Sequence, residues 1–239
     1  MTMKRNEIIT AAMLLAASIV IFGYLLKNAV AGLRESQRSV TVRGLSERDV
    51  EADKVIWPLT YRVVGNDLPA LYNTMEQYNT TIVDFLTKYG IYKEDISTAI
   101  PTVVDLRADQ WRNQSEVINR YNITSAITVS SNDVERVRRA MDAVSELFRK
   151  GIAVSSSEYG TSQIQFLFTS LNDVKPEMIE EATRNARQAA EKFAEDSGSK
   201  LGKIKSATQG QFSISIPDSN TPYKQQVRVV TTIEYSLKD

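Results

Sequence analysis

The 239-residue chain contains no cysteine and no histidine. Without cysteine there can be no disulfide, so stability in any compartment must come from the packed core. The two absences also exclude zinc sites built on thiolates or imidazoles, Ser-His-Asp triads, cysteine nucleophiles and imidazole bases. Catalysis would be left to carboxylates, lysine or tyrosine. Net charge is also lacking, because 29 basic side chains balance 29 acidic ones. That removes a global electrostatic case for nucleic acid, and the Arg136, Arg138, Arg139 cluster reads as a solvated helix face.

Charge is missing again in one long run. Ile8 to Leu26 holds no charged residue, follows Lys4 and Arg5, and is closed by Lys27. Nineteen residues at about 1.5 Å each are close to the roughly 30 Å of a bilayer core, so the run predicts a single transmembrane helix. The bilayer is then one partner, through residues 8–26. Lys4 and Arg5 favour a cytoplasmic N-terminus, although Lys27, Arg34 and Arg38 weaken the bias. The alternative is a cleaved signal, since Ala29-Val30-Ala31 fits a small-x-small site. The length of the run favours retention. Residues 1–31 are thus read as anchor or signal, 32–38 as a linker, and 39–239 as an α+β domain.

Within that domain the hydrophobic period changes repeatedly. Val55, Trp57, Leu59, Tyr61 and Val63 alternate, as a half-buried strand requires. Pro58 offers no N–H and predicts an edge strand or a bulge, which makes it an interface candidate. From Leu68 to Tyr89 the spacing becomes three and four, predicting a helix capped by Asn66 or Asp67 and ended by Gly90. Strands are expected over Ile96–Leu106 and Tyr121–Val129, joined by a polar loop that holds Trp111. A tryptophan there suits a partner surface or subunit interface, and equally a fold back onto its own domain. A second helix is expected over Asn132–Lys150, with Phe148 on its apolar face, and a third over Pro176–Ser197. Short strands should cover Ile152–Ser156 and Gln163–Thr169, and two final ones Ile204–Ile216 and Gln226–Leu237. Strand pairs alternating with single helices predict an α+β fold of largely antiparallel sheets with three packed helices.

In the third helix Ala182, Ala186, Ala190, Ala194 and Gly198 recur every fourth residue. Small residues at this spacing make a flat ridge for close packing. Ser197-Gly198-Ser199-Lys200 fits the S-x-x-K pattern, but it lies at a helix end rather than a helix start, so it reads as chance. No catalytic, cofactor or metal residues are assigned.

The alanine ridge, continued through Gly198, Leu201, Gly202 and Ile204, resembles the C-terminal half of the SIMPL domain family of YggE-like envelope proteins. Val40-Thr41-Val42-Arg43-Gly44 is similar to the family's opening strand and glycine. Asp53 stands where the family has an aspartate before its second strand. Gly90-Ile91, Asp95-Ile96 and Thr98 resemble its helix-to-strand junction. Ala52 departs from the proline common before that aspartate, and Pro58 is a second departure. The resemblance implies a bacterial envelope α+β domain, assembly into homo-oligomers that could close as rings, and a loose link to stress. With the anchor, it implies a single-pass protein of the inner membrane with its domain in the periplasm; after cleavage near Ala31 it would be periplasmic. It brings no catalytic constellation, so Gly44, Asp53, Gly90, Gly198 and Gly202 read as structural. Self-assembly is the leading expectation, an adaptor for another envelope protein is second, and a hydrolase independent of His and Cys is third.

Overall fold

The computed structural model describes residues 13–24, 38–108, 118–155 and 163–238. Residues 13–24 are helical and exposed throughout. Among the described residues no helix is long and apolar enough to cross a membrane. The expected span, residues 8–26, lies partly outside the described residues.

The rest is α+β, built from antiparallel ladders with helices packed on them. Ten strands are described: β1 (Ser39–Glu51), β2 (Lys54–Gly65), β3 (Ile96–Thr98), β4 (Thr102–Asp105), β5 (Tyr121–Ser131), β6 (Val154–Ser155), β7 (Gln165–Leu167), β8 (Lys200–Gln209), β9 (Ser213–Ser215) and β10 (Lys224–Lys238). Four helices accompany them: α1 (Leu68–Lys88), α2 (Val134–Asp142), α3 (Ser145–Arg149) and α4 (Leu171–Asp196). The stretch read as one domain, 39–239, comprises two compact units. One takes Met1–Arg48, Val174–Ile214 and Val227–Asp239; the other takes Asp49–Asp173 and Ser215–Gln226.

The second unit carries a six-stranded sheet in the order β3-β5-β2-β6, with β4 also on β5 and β7 also on β2. The β2–β5 ladder is its spine, in register from Val55 opposite Ser131 to Gly65 opposite Tyr121. Alternation works as the sequence predicts, burying Val55, Trp57, Leu59, Tyr61 and Val63. Asp67 starts α1 by accepting a hydrogen bond from the Ala70 amide at 3.2 Å, with Pro69 in the first turn. Gly90 ends it at φ +82°, where a side chain would be strained. Met75, Ile82, Phe85 and Leu86 of α1 meet Val137 and Ala140 of α2 and Leu147 of α3 in one core.

The structure differs from the sequence reading in several places, one being that the strand expected over Ile204–Ile216 is divided into β8 and β9. Pro58 is not on an edge strand, because β2 is flanked on both sides. On the side away from β5, β7 pairs Lys54–Ile56 and β6 pairs Thr60–Tyr61. Pro58 falls in the gap between them, where β2 has no ladder partner on that side among the described residues, and is buried. The strand expected over Ile96–Leu106 is broken into β3 and β4, with Pro101 in the break. The helix expected over Asn132–Lys150 is interrupted between Asp142 and Ser145. That interruption shifts the helical phase, so Leu147 is fully buried and Phe148 is 51% exposed. Finally, α4 begins five residues before Pro176 and carries that proline within it.

The first unit holds the other sheet, in the order β1-β10-β8, with β9 also on β10. Its core joins Val40 of β1 and Ile233, Tyr235 and Leu237 of β10 to Ala186, Ala190 and Ala194 of α4. Every alanine of the predicted ridge, Ala182 included, is at most 2% exposed. At its far end, Gly198 takes φ +67° while its amide donates to Glu195 O at 3.0 Å and the Ser199 amide to Ala194 O at 2.9 Å.

Candidate functional site

In the first unit, the ridge on α4 is flat because β1 supplies a glycine opposite it. A Cβ placed on Gly44 would fall inside the van der Waals shells of the Ala182 carbonyl oxygen and the Ala186 amide nitrogen, and 2.8 Å from Ala186 Cβ. Only glycine permits this approach of strand to helix. Polar bonds flank the seam: Ser46 Oγ donates to Glu181 Oε2 at 2.7 Å and Asn185 Nδ2 to Leu45 O at 2.8 Å. Gly202 plays a similar part on β8, where a Cβ would stand 2.8 Å from the Ser236 carbonyl oxygen. Gly44, Gly202 and the four alanines therefore form a packing device with no chemistry of its own.

In the second unit, Asp53 lies between β1 and β2 and closes on the turn ahead of α4. Its Oδ1 accepts from the Thr169 amide at 2.7 Å and the Thr169 hydroxyl at 2.8 Å, and its Oδ2 accepts from the Ser170 amide at 2.8 Å. Partial burial pushes the carboxyl pKa up, but the bonds from Ser170 and Thr169 together outweigh it and leave the pKa below the ordinary value. This is a helix-start cap supplied from more than a hundred residues away, so local sequence around Thr169 gives no sign of it.

The S-x-x-K pattern does not assemble. Ser197 Oγ donates to the Ala194 carbonyl at 3.0 Å, while Lys200 is exposed on β8. Two of the three arginines of α2 are more engaged than a solvated face requires, while Arg139 is exposed as that reading expects. Arg136 pairs with Asp133 at 2.9 Å and donates to Gly90 O, and the Arg138 guanidinium stacks 3.5 Å from the Tyr223 ring centroid. Among the described residues no group of three or more His, Cys, Asp or Glu is placed to hold a metal ion.

What the second unit does present is an apolar sheet edge. Among the described residues β3 and β4 pair only with β5, opposite Ile127–Val129 and Tyr121–Thr124 respectively. Val103 and Val104 are 47% and 45% exposed, and Ile100 and Ile118 beside the strand ends are 93% and 85% exposed. From Ile96 to Val104 the edge carries no charge. Its distal end is held rigidly. Arg120 grips Asp105 with Nε at 3.0 Å and a terminal nitrogen at 2.8 Å, and donates its amide to Asn66 Oδ1 at 2.9 Å. The Arg120 guanidinium holds the Asp105 pKa below its ordinary value. Sequence reading named the neighbouring Trp111, which lies outside the described residues, and passed over Val103 and Val104. The usable signal was the uncharged nine-residue run, which looked like one long strand.

A family model described as SIMPL, a protein of unknown function (DUF541), matches residues 40–235. The chain belongs to the SIMPL family. No curated protein matches it. The SIMPL match runs from β1 to β10 and so includes both units. Within it stand the seam glycine Gly44, the capping Asp53, the alanine ridge and the uncharged edge.

Proposed function

We propose that this SIMPL protein acts by homo-oligomeric assembly through the β3–β4 edge, held at a membrane by its N-terminal segment, and not by catalysis. The observation that carries this reading is the uncharged edge from Ile96 to Val104 with its exposed Ile100, Val103 and Val104. An exposed edge strand is a template for pairing with another chain, and charged side chains, lysine above all, are the usual defence. The contrast with β8 makes the point. That edge strand is similarly open but carries Lys200, Lys203 and Lys205. A second copy is the favoured occupant because the chain has zero net charge, so copies do not repel one another.

The anchor is supported by residues 13–24, which are helical, uncharged and exposed on all sides. Their one internal hydroxyl, Ser18 Oγ, donates to Leu15 O at 2.8 Å, as a hydroxyl facing lipid must. In this reading the two units stand outside the cytoplasmic membrane, several anchors in one assembly add their affinities, and the loose link to stress runs through the assembled form. An adaptor role, with another envelope protein on the same edge, is the second reading.

The test is native mass in mild detergent for the wild type and Val104→Lys. Assembly through this edge gives a discrete multiple of the 26.8 kDa chain that Val104→Lys reduces. A wild-type monomer overturns the reading, and a multiple unchanged by the lysine moves the interface elsewhere.

A further inference from the structure

In the first unit, α4 covers the β1–β10 part of the sheet more fully than β8. Tyr235 and Leu237 of β10 are buried in the core that contains the alanine ridge. Their ladder partners on β8 are Ile204 and Leu201, which therefore share that face. Leu201 is only half-buried and Ile204 is 54% exposed. Between α4 and β8 this leaves a groove of about 450 Å³, within the usual range for small-molecule sites. Leu201 and Ile204 give it an apolar floor, while Arg187 and Glu191 of α4 and Lys203 of β8 also line it. Two cations and one carboxylate leave a single positive charge in excess. Arg187 Nε donates to Glu191 Oε1 at 2.9 Å. The terminal guanidinium nitrogens have no hydrogen-bond partner among the described residues.

A second observation is independent of this charge. Tyr235 lines the same groove and is only 4% exposed. Its hydroxyl has no hydrogen-bond partner among the described residues, yet it is not sealed inside the core. The hydroxyl of a buried tyrosine normally finds a partner, and the opening this one reaches is the groove. Glu191 raises the Arg187 pKa above its ordinary value and Tyr235 adds to that effect, which places the phenol oxygen near the guanidinium. The groove therefore offers hydrogen-bond donors and one surplus positive charge beside an apolar floor.

We propose that this groove binds a small free carboxylic acid with an apolar body. The carboxylate accepts from the Arg187 terminal nitrogens and the Tyr235 hydroxyl, and the body covers Leu201 and Ile204. A monoanion balances the single surplus charge, whereas a phosphate dianion would overshoot it, and a planar carboxylate matches the guanidinium fork. The site stands apart from the β3–β4 edge and does not depend on assembly.

Fluorine NMR titration of the full chain in mild detergent, against a detergent blank, tests it with para-fluorophenylacetate and its uncharged counterpart, para-fluorophenylacetamide. Wild type, Tyr235→Phe, Arg187→Gln and a control, Arg149→Gln on the exposed end of α3, are compared. Tyr235→Phe removes only the hydroxyl and keeps the ring, and Arg187 is exposed, so both variants keep the fold, which circular dichroism checks. Loss of one hydrogen bond to a charged group should weaken acid binding about tenfold or more in each groove variant and leave Arg149→Gln at the wild-type value. The amide should bind at least about tenfold more weakly than the acid. Equal binding of acid and amide, wild-type affinity in either groove variant, or no binding of the acid at about 10 mM, overturns the proposal.

Discussion

Gly44→Ala should damage the first unit far more than one methyl group suggests. The new Cβ would strike the Ala182 carbonyl oxygen and the Ala186 amide nitrogen, which are backbone atoms of α4 and cannot rotate away. Either the strand or the helix must retreat, and Val40, Ile233 and Ala190 around the seam would lose contact. Overpacking of this kind costs about 1–3 kcal/mol, and a clash with backbone belongs at the upper end. Gly65→Ala is the matched control. There the nearest atoms to the Cβ would all belong to the Leu71 side chain, the closest its Cδ2 methyl at 3.2 Å, a movable end, and the cost should stay under about 1 kcal/mol. Urea unfolding followed by circular dichroism reads both as shifts in midpoint. A double variant sharpens the test. Gly44→Ala with Ala186→Gly removes only the Cβ contact at 2.8 Å and leaves both backbone clashes, so it should not recover stability. A Gly44→Ala chain as stable as Gly65→Ala, or rescue by Ala186→Gly, would refute the close-seam argument.

Asp53→Ala should cost about 1 kcal/mol by uncapping the turn at Thr169 and Ser170, read as a lower urea midpoint. Because the folded pKa of Asp53 lies below its unfolded value near 3.8, its contribution is complete above that value and is lost as pH falls through the folded pKa. Acid unfolding of Asp53→Asn should therefore be less steep than that of the wild type below about pH 4. In the second unit, Leu147→Ala should destabilise by about 2–5 kcal/mol and Phe148→Ala by under about 1 kcal/mol, reversing the order expected from an unbroken helix. Adding sodium chloride should leave the β3–β4 assembly intact, because the edge from Ile96 to Val104 holds no charge to screen; native mass across a salt series checks this.

The strands and helices were legible where one face decides the pattern. β2 and β10 alternate, α1 keeps its three-and-four spacing, and the alanine ridge of α4 is buried as its repeat requires. The reading failed where a local event breaks a long pattern. Pro101 sits where an expected strand divides, and the interruption before Ser145 puts Leu147 in the core instead of Phe148. It failed again where the partner is remote in sequence. Pro58 is accommodated by the spacing of β6 and β7, and Asp53 caps a turn 116 residues away, neither of which local composition can express. The candidate edge was visible as an uncharged run, but its exposure depends on β3 and β4 having β5 as their sole partner among the described residues.

The most direct test of assembly through this edge uses the absence of native cysteine, which makes a single introduced thiol an unambiguous probe. Maleimide labelling rates would be measured for Val104→Cys on β4 and Ile204→Cys on β8, in the full chain in mild detergent, across a dilution series. Both native side chains are about half exposed in the single chain, at 45% and 54%. The account predicts that Val104→Cys is protected relative to Ile204→Cys when concentrated and converges with it on dilution. Equal labelling of the two thiols at every concentration would contradict it.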